Sequence, residues 1–253
     1  MYEMLFSARP DNRVIRYIDT KKTDVEVIVF LHGWGADLHN LIGVYRELFD
    51  FYRIISIDLP GFGGSTRPKD TWSSFEYAEE ISCFLKSLGI EKYSIVGHSF
   101  GGKIASIIAY KKPDEVKKLV LIAASCLRNK RGLNWYFKVY SYKFIKYILI
   151  RFFNRNDIVE KFKRKSGSGD YRSSLGMQDI LVKVVNEDLS HVLKQLQLPV
   201  FLYWGENDDA TPVWMAKKVS HLIKDSGLFI VKNGSHYPFL EDNRIVSIIQ
   251  NFI

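Results

Sequence analysis

The 253-residue chain has only two cysteines, Cys83 and Cys126, far apart in sequence. That excludes a disulfide framework and makes a reducing compartment the default. No Cys/His cluster has zinc-ligand spacing, so no metal site is expected. No run of about 18 uninterrupted apolar residues occurs, which excludes a simple membrane-spanning helix. The opening "MYEMLFSARPDNR" lacks the basic flank and apolar core of a secretory signal, so a cytoplasmic location is expected. Internal repeats and low-complexity tracts are also lacking. What is present is ample core material, 47% hydrophobic residues against 25% charged, as in a soluble globular protein.

The net charge of +8 has an address. Residues 125–195 hold 15 Lys and Arg against 6 Asp and Glu, whereas the rest of the chain holds 21 against 22. The same segment carries nine aromatic residues between Trp135 and Phe153. Elsewhere, continuous apolar runs ending in glycine or polar turns recur: "VEVIVFLHGWG", "YRIISIDLPGFGGS", "YSIVGHSFGG", "VKKLVLIAAS", "LPVFLYWGEND" and "SGLFIVKNGSH". Such runs are strands buried on both faces, as in a parallel sheet. "NRVIRYID" alternates and reads as an earlier, antiparallel strand. Helical spacing fills the gaps, in "HNLIGVYRELF", "SFEYAEEISCFLKSLG", "FGGKIASIIAYKKP" and "TPVWMAKKVSHLIKDSG". The alternation predicts a doubly wound, mostly parallel α/β sheet formed by residues 1–124 and 198–253. Residues 125–197 break it and are expected to be a helical cap inserted over one end of the sheet.

Ser99 lies between a predicted strand and a predicted helix, with Gly97 and Gly101 two residues to either side. A nucleophile on a sharp strand-to-helix turn needs neighbours without side chains, and G-x-S-x-G in that context is the pattern. Serine needs a base, and the base an orienting acid. Of the six histidines, His236 in "KNGSHYPFLED" lies just past the last strand, where such a sheet presents functional groups. His32 belongs to a glycine turn, His98 is expected to point away from the serine, His39 and His221 lie on helical patterns, and His191 is late in the expected cap. Asp208 and Asp209 both follow the strand "PVFLYW", and either could be the acid. The glycines of "LHGWG" allow close backbone approach, so the amides of Trp34 and Phe100 are the expected oxyanion hole.

Taken in order, "HGWG", "DLPGFGGS", "GHSFGG", "WGENDDATP" and "GSHYPFLE" resemble the α/β-hydrolase superfamily, and its small capped esterase-like members in particular. The resemblance implies the chain order Ser99, acid, His236, and selects Asp208, three residues after Gly205 and four before Pro212. It implies that residues 125–195 form a lid. Serine at the nucleophile position disfavours the dehalogenase and epoxide hydrolase branches, which use aspartate there. The expected activity is carboxylic ester hydrolysis without metal or organic cofactor. The alternatives are carbon–carbon bond hydrolysis or cofactor-free perhydrolysis on the same three residues, and a non-catalytic binding member of the fold. Trp34, Cys126, Trp135 and Tyr237 are the candidate pocket residues. The basic aromatic stretch is a solvated lid, a docking face for an acidic acyl carrier protein, or a contact for an anionic membrane surface; nucleic acid is not expected. "HGWG" and "DLPGFG" are also similar to the pimeloyl-acyl-carrier-protein methyl ester esterases, a second route to a carrier-linked substrate.

Overall fold

The computed structural model describes residues 3–7, 13–128 and 176–253. Eight strands form one sheet in the order β1-β2-β4-β3-β5-β6-β7-β8. They are β1 (Glu3–Ser7), β2 (Val14–Asp19), β3 (Val27–Leu31), β4 (Arg53–Ile57), β5 (Tyr93–His98), β6 (Val116–Ile122), β7 (Val200–Gly205) and β8 (Ser226–Val231). β1 pairs antiparallel with β2, and β2 antiparallel with β4; the other neighbours are parallel. The six continuous apolar runs are the six parallel strands, and "NRVIRYID" is the antiparallel β2, as expected. β1 was not expected from the sequence; its five residues gain their partners only through the register Glu3↔Ile18 to Ser7↔Val14.

The described helices are α1 (Ile42–Tyr45), α2 (Ser74–Ser87), α3 (Phe100–Lys111), α4 (Gln178–Val184), α5 (Ser190–Leu193), α6 (Val213–Leu222), α7 (Pro238–Glu241) and α8 (Arg244–Phe252). α2 starts at a capping box, where Ser73 Oγ accepts from the Phe75 amide and the Ser73 amide donates to Glu76 Oε2 at 2.6 Å. α1 is shorter than its apolar pattern predicts and tightens into a 3₁₀ turn over Arg46–Leu48. The pattern still works: Leu41, Val44, Tyr45 and Leu48 all turn into the core. Gly43 in its middle weakens the helix without disturbing that face.

The chain divides into two compact units, residues 1–128 with 182–253, and residues 129–181. Residues 182–197, inside the composition boundary at 125–197, group with the unit that contains the sheet. Within the first unit Lys183 Nζ donates to the Thr71 carbonyl at 2.8 Å, and Glu187 Oε1 accepts from the Ser74 amide at 3.0 Å. The aromatic stretch from Trp135 and the loop "KRKSGSGDYRSS" lie outside the described residues.

β3 has β4 on one side and β5 on the other, so the chain winds first one way and then the other from β3. A crevice opens at the carboxyl ends of strands at such a reversal. α3 presses into that crevice. A Cβ on Gly101 would lie 2.2 Å from the Leu31 carbonyl oxygen, a backbone atom that cannot step aside. Gly101→Ala therefore must push α3 off the sheet. The expected loss is about 1–3 kcal/mol or more, read as a lower urea midpoint at unchanged slope; an unchanged midpoint would show that α3 is free to shift.

Candidate active site

Ser99 sits at the end of β5 with φ +50° and ψ −110°, a left-handed region that residues with side chains rarely occupy. Neighbouring bonds hold it there. The Ser99 amide donates to the Ile122 carbonyl at 2.9 Å, and the Ser125 amide donates to the Ser99 carbonyl at 3.0 Å. The residue is part-exposed, and α3 begins directly behind it. The amide of Phe100, in the first turn of α3, has no carbonyl of that helix to pair with.

The opposite wall is the turn after β3. His32 is buried and uses both ring nitrogens: Nδ1 donates to the Gly33 carbonyl at 2.7 Å, and Nε2 accepts from the Leu59 amide at 3.0 Å. This fixes the peptide plane between Gly33 and Trp34. With the carbonyl held toward His32, the trans peptide turns the Trp34 amide the other way. The Trp34 ring packs edge-on against Phe62 and Phe100, with centroids 4.9 and 5.3 Å away. Asp58, from "DLPGFGGS", anchors the surrounding loops. Its carboxylate accepts from the Leu38 amide at 2.7 Å, from the Gly64 amide at 2.6 Å and from Arg16 Nε at 2.6 Å.

The two downstream residues meet. His236 Nδ1 donates to Asp208 Oδ2 at 2.8 Å. Asp208 is buried, whereas Asp209 is exposed. Asp208 Oδ1 accepts from the Ala210 and Thr211 amides at 2.9 and 2.8 Å, and the Thr211 hydroxyl lies 2.7 Å from Oδ2. Burial alone would raise the carboxyl's pKa; the bonds from His236 and Thr211 outweigh it and hold it below the ordinary carboxylate value. Thr211 was not singled out from sequence, because a threonine ahead of a proline is an ordinary helix start. The two loops are stitched together: the Asn207 amide donates to the Gly234 carbonyl at 2.8 Å, and a Cβ on Gly205 would strike the Ser235 carbonyl oxygen.

The remaining expected residues divide. His98 turns away from the serine, but into the loop of His236, with Nε2 donating to the His236 carbonyl at 2.9 Å. Tyr237 is part of the same group, its ring centroid 5.1 Å from that of His98 and 5.4 Å from that of His236. Cys126 is sealed from solvent, with Sγ 3.4 Å from Ser106 Oγ, and burial pushes its thiol up to about 11; it is a packed, unreactive side chain. Trp135 lies outside the described residues. His191 and His221 are exposed, and His39 is part-exposed beside Asp37. Among the described residues no group of three or more His, Cys, Asp or Glu could hold a metal ion, and no helix is long and apolar enough to cross a membrane.

Comparison with known proteins gives this geometry a context. The family model of the alpha/beta hydrolase fold matches residues 26–139. An AB hydrolase superfamily protein of Bacillus subtilis, YisY, is 27% identical over 260 residues, covering 89% of this chain and 90% of that protein. The pimeloyl-[acyl-carrier protein] methyl ester esterase of Aliivibrio fischeri is 24% identical over 243 residues, covering 89% of this chain and 93% of that one. Among solved structures, a thermophilic esterase from Thermogutta terrifontis superposes with a TM-score of 0.74 at 20% identity, covering 100% of this chain and 98% of that one.

The two buried histidines set a pH dependence of stability. Burial lowers both, His98 to about 3 and His32 in the same direction. In the unfolded chain each titrates near its ordinary 6.5. Below that pH the unfolded state binds protons that the native state refuses, so stability falls on acidification. From pH 7 to 5 His98 alone accounts for a loss on the order of 2 kcal/mol. Asp208, whose pKa is depressed, adds its loss only below the ordinary carboxylate range. Urea midpoints across this range should drop, and His98→Met should make the slope shallower; equal slopes for the two proteins would show that His98 is not buried neutral.

Proposed function

We propose that this chain, which is similar to proteins of the α/β-hydrolase superfamily, is a serine hydrolase of carboxylic esters, with Ser99 as nucleophile, His236 as base and Asp208 as orienting acid. The observation that carries this reading is the 2.8 Å bond from His236 Nδ1 to the buried Asp208 carboxylate. It leaves Nε2 as the basic nitrogen, in a loop whose carbonyl is bonded to the residue preceding Ser99. The backward-turned φ of +50° at Ser99 supports it independently, since strain of this kind persists where the surroundings impose it.

In the proposed reaction the ester carbonyl rests against the amides of Trp34 and Phe100. His236 Nε2 takes the Ser99 hydroxyl proton as the oxygen attacks the carbonyl carbon. The two amides stabilise the oxyanion, an arrangement in which one lost donor costs roughly 3 kcal/mol in hydrolases of this kind. Collapse breaks the bond to the alkoxy group, which leaves as the alcohol with the proton from His236. Water, deprotonated by the same nitrogen, then releases the carboxylic acid and restores Ser99. Asp208 stays ionised, stabilising the imidazolium formed in each half. The chain's own residues supply every proton transfer, so no metal or organic cofactor enters the scheme. The relative named for a carrier-linked methyl ester favours an acyl ester whose alcohol is small. The excess positive charge of residues 125–195 would suit an acidic carrier of that acyl group.

Ser99→Ala should abolish labelling by a fluorophosphonate and lower ester turnover by at least about 10³-fold, with the unfolding midpoint retained. Retained turnover would overturn the nucleophile. Asp208→Asn should lower kcat by about 10²- to 10⁴-fold, because the imidazole then loses its fixed tautomer; wild-type kcat in that variant would remove the acid. An ester panel graded by acyl length, run beside a vinylogous diketone acid, tests the bond cleaved. Turnover of the diketone acid alone would replace ester hydrolysis with carbon–carbon cleavage.

A further inference from the structure

We propose that His98 is a positioning residue for the base, its Nε2–H holding the main chain of His236 in place for proton transfer with Ser99. The inference rests on the reading of His236 as base given above. His98 is the last residue of β5 and is 1% exposed. Its partner is a carbonyl oxygen, which can only accept, so Nε2 carries the proton. The neutral ring then has a bare Nδ1, and that atom is buried with no hydrogen-bond partner. A buried unpaired acceptor is unfavourable by roughly 1–3 kcal/mol, so the ring is not there for its own satisfaction. It offers one donor, and that donor goes to His236.

The rest of the surroundings agree. Among the described residues, the His98 contact is the one hydrogen bond to the main chain of His236; the neighbouring bonds fall on Gly234, Ser235 and Tyr237. The ring is clamped on the other side by the turn after β3, where a Cβ on Gly33 would lie 2.9 Å from His98 Nδ1. It is also enclosed by the rings of His236, Tyr237 and Phe239, with centroids at 4.9, 5.1 and 5.2 Å. One side chain therefore touches the oxyanion turn, the base loop and, through the chain itself, the nucleophile. Asp208 fixes the imidazole at Nδ1, and His98 fixes the backbone from which that imidazole hangs. With either anchor lost, Nε2 is free to drift relative to the Ser99 hydroxyl, and a displacement of about 1 Å is worth about a hundredfold in rate.

Two amide side chains separate this from simple packing. Glutamine places an N–H near the position of the ring Nε2; asparagine is shorter and cannot reach the His236 carbonyl. Methionine fills the volume and donates nothing. His98→Gln should keep kcat within about threefold of wild type. His98→Asn and His98→Met should lower kcat by about 10- to 100-fold, with KM within about twofold and fluorophosphonate labelling slowed in step. Either of the last two suffices if the other does not fold. Equal losses in all the variants, no loss in any, or a change confined to KM would overturn the role. If the wild-type protein is not labelled, or Ser99→Ala keeps its turnover, the serine reading fails first and this inference with it.

Discussion

The turn at Ser99 exists because α3 can press its first residues against the ends of two strands with nothing between. A Cβ on Gly97 would lie 2.6 Å from Gly102 Cα, and one on Gly101 would lie 2.2 Å from the Leu31 carbonyl oxygen. These are backbone-to-backbone contacts, and side chains at either position would hold the helix away from the crevice between β3 and β5. The same device recurs at the second crevice, where Gly205 lies directly beneath the Ser235 carbonyl. Strain of about 1–3 kcal/mol at Ser99 is supported by backbone bonds to Ile122 and Ser125. The whole site is thus built from strand ends, and its precision derives from the stiffness of the sheet.

Buried polar groups then do the fine placement, and each works because its charge state suits its partners. Asp208 is buried but receives donors from His236, Thr211 and Ala210, so the ion is the favoured form. His32 and His98 receive no carboxylate, so they stay neutral and act through tautomers. The two rings have opposite ones. His32 donates from Nδ1 and accepts at Nε2, whereas His98 donates from Nε2 and leaves Nδ1 bare. Each choice is dictated by the backbone group it faces, and each ring holds a different loop of the same cleft.

The parallel strands were legible because a strand buried on both faces writes itself as a continuous apolar run, and β5 is buried at every residue. β1 was not legible, since five residues carry no period of their own and its identity comes from pairing with β2. Asp208 and Asp209 are alike in local pattern; only spacing relative to Gly205 and Pro212 separates them, and in the structure the difference is burial. The place of His98 directly before Ser99 predicts a ring turned away from the serine, but not what that ring meets. Its partner is 138 residues away and is a main-chain carbonyl, a contact that no side-chain pattern encodes. Cys126 is a similar case: its position after β6 is visible in sequence, but the direction of its side chain toward Ser106 is not.

Every side chain named in the proposed reaction lies in the unit of residues 1–128 and 182–253, while most of the excess positive charge and the aromatic run belong to residues 129–181. The first unit is held by a sheet and by buried hydrogen bonds in which each partner depends on the next. A substitution there propagates, because Asp208, His236 and His98 form one chain of contacts across the ends of β5, β7 and β8. The chemistry proposed for these residues therefore depends on the packing of the sheet. A sheet of this kind can keep such buried contacts while residues outside it change, which is the physical reason that a fold by itself does not fix a function.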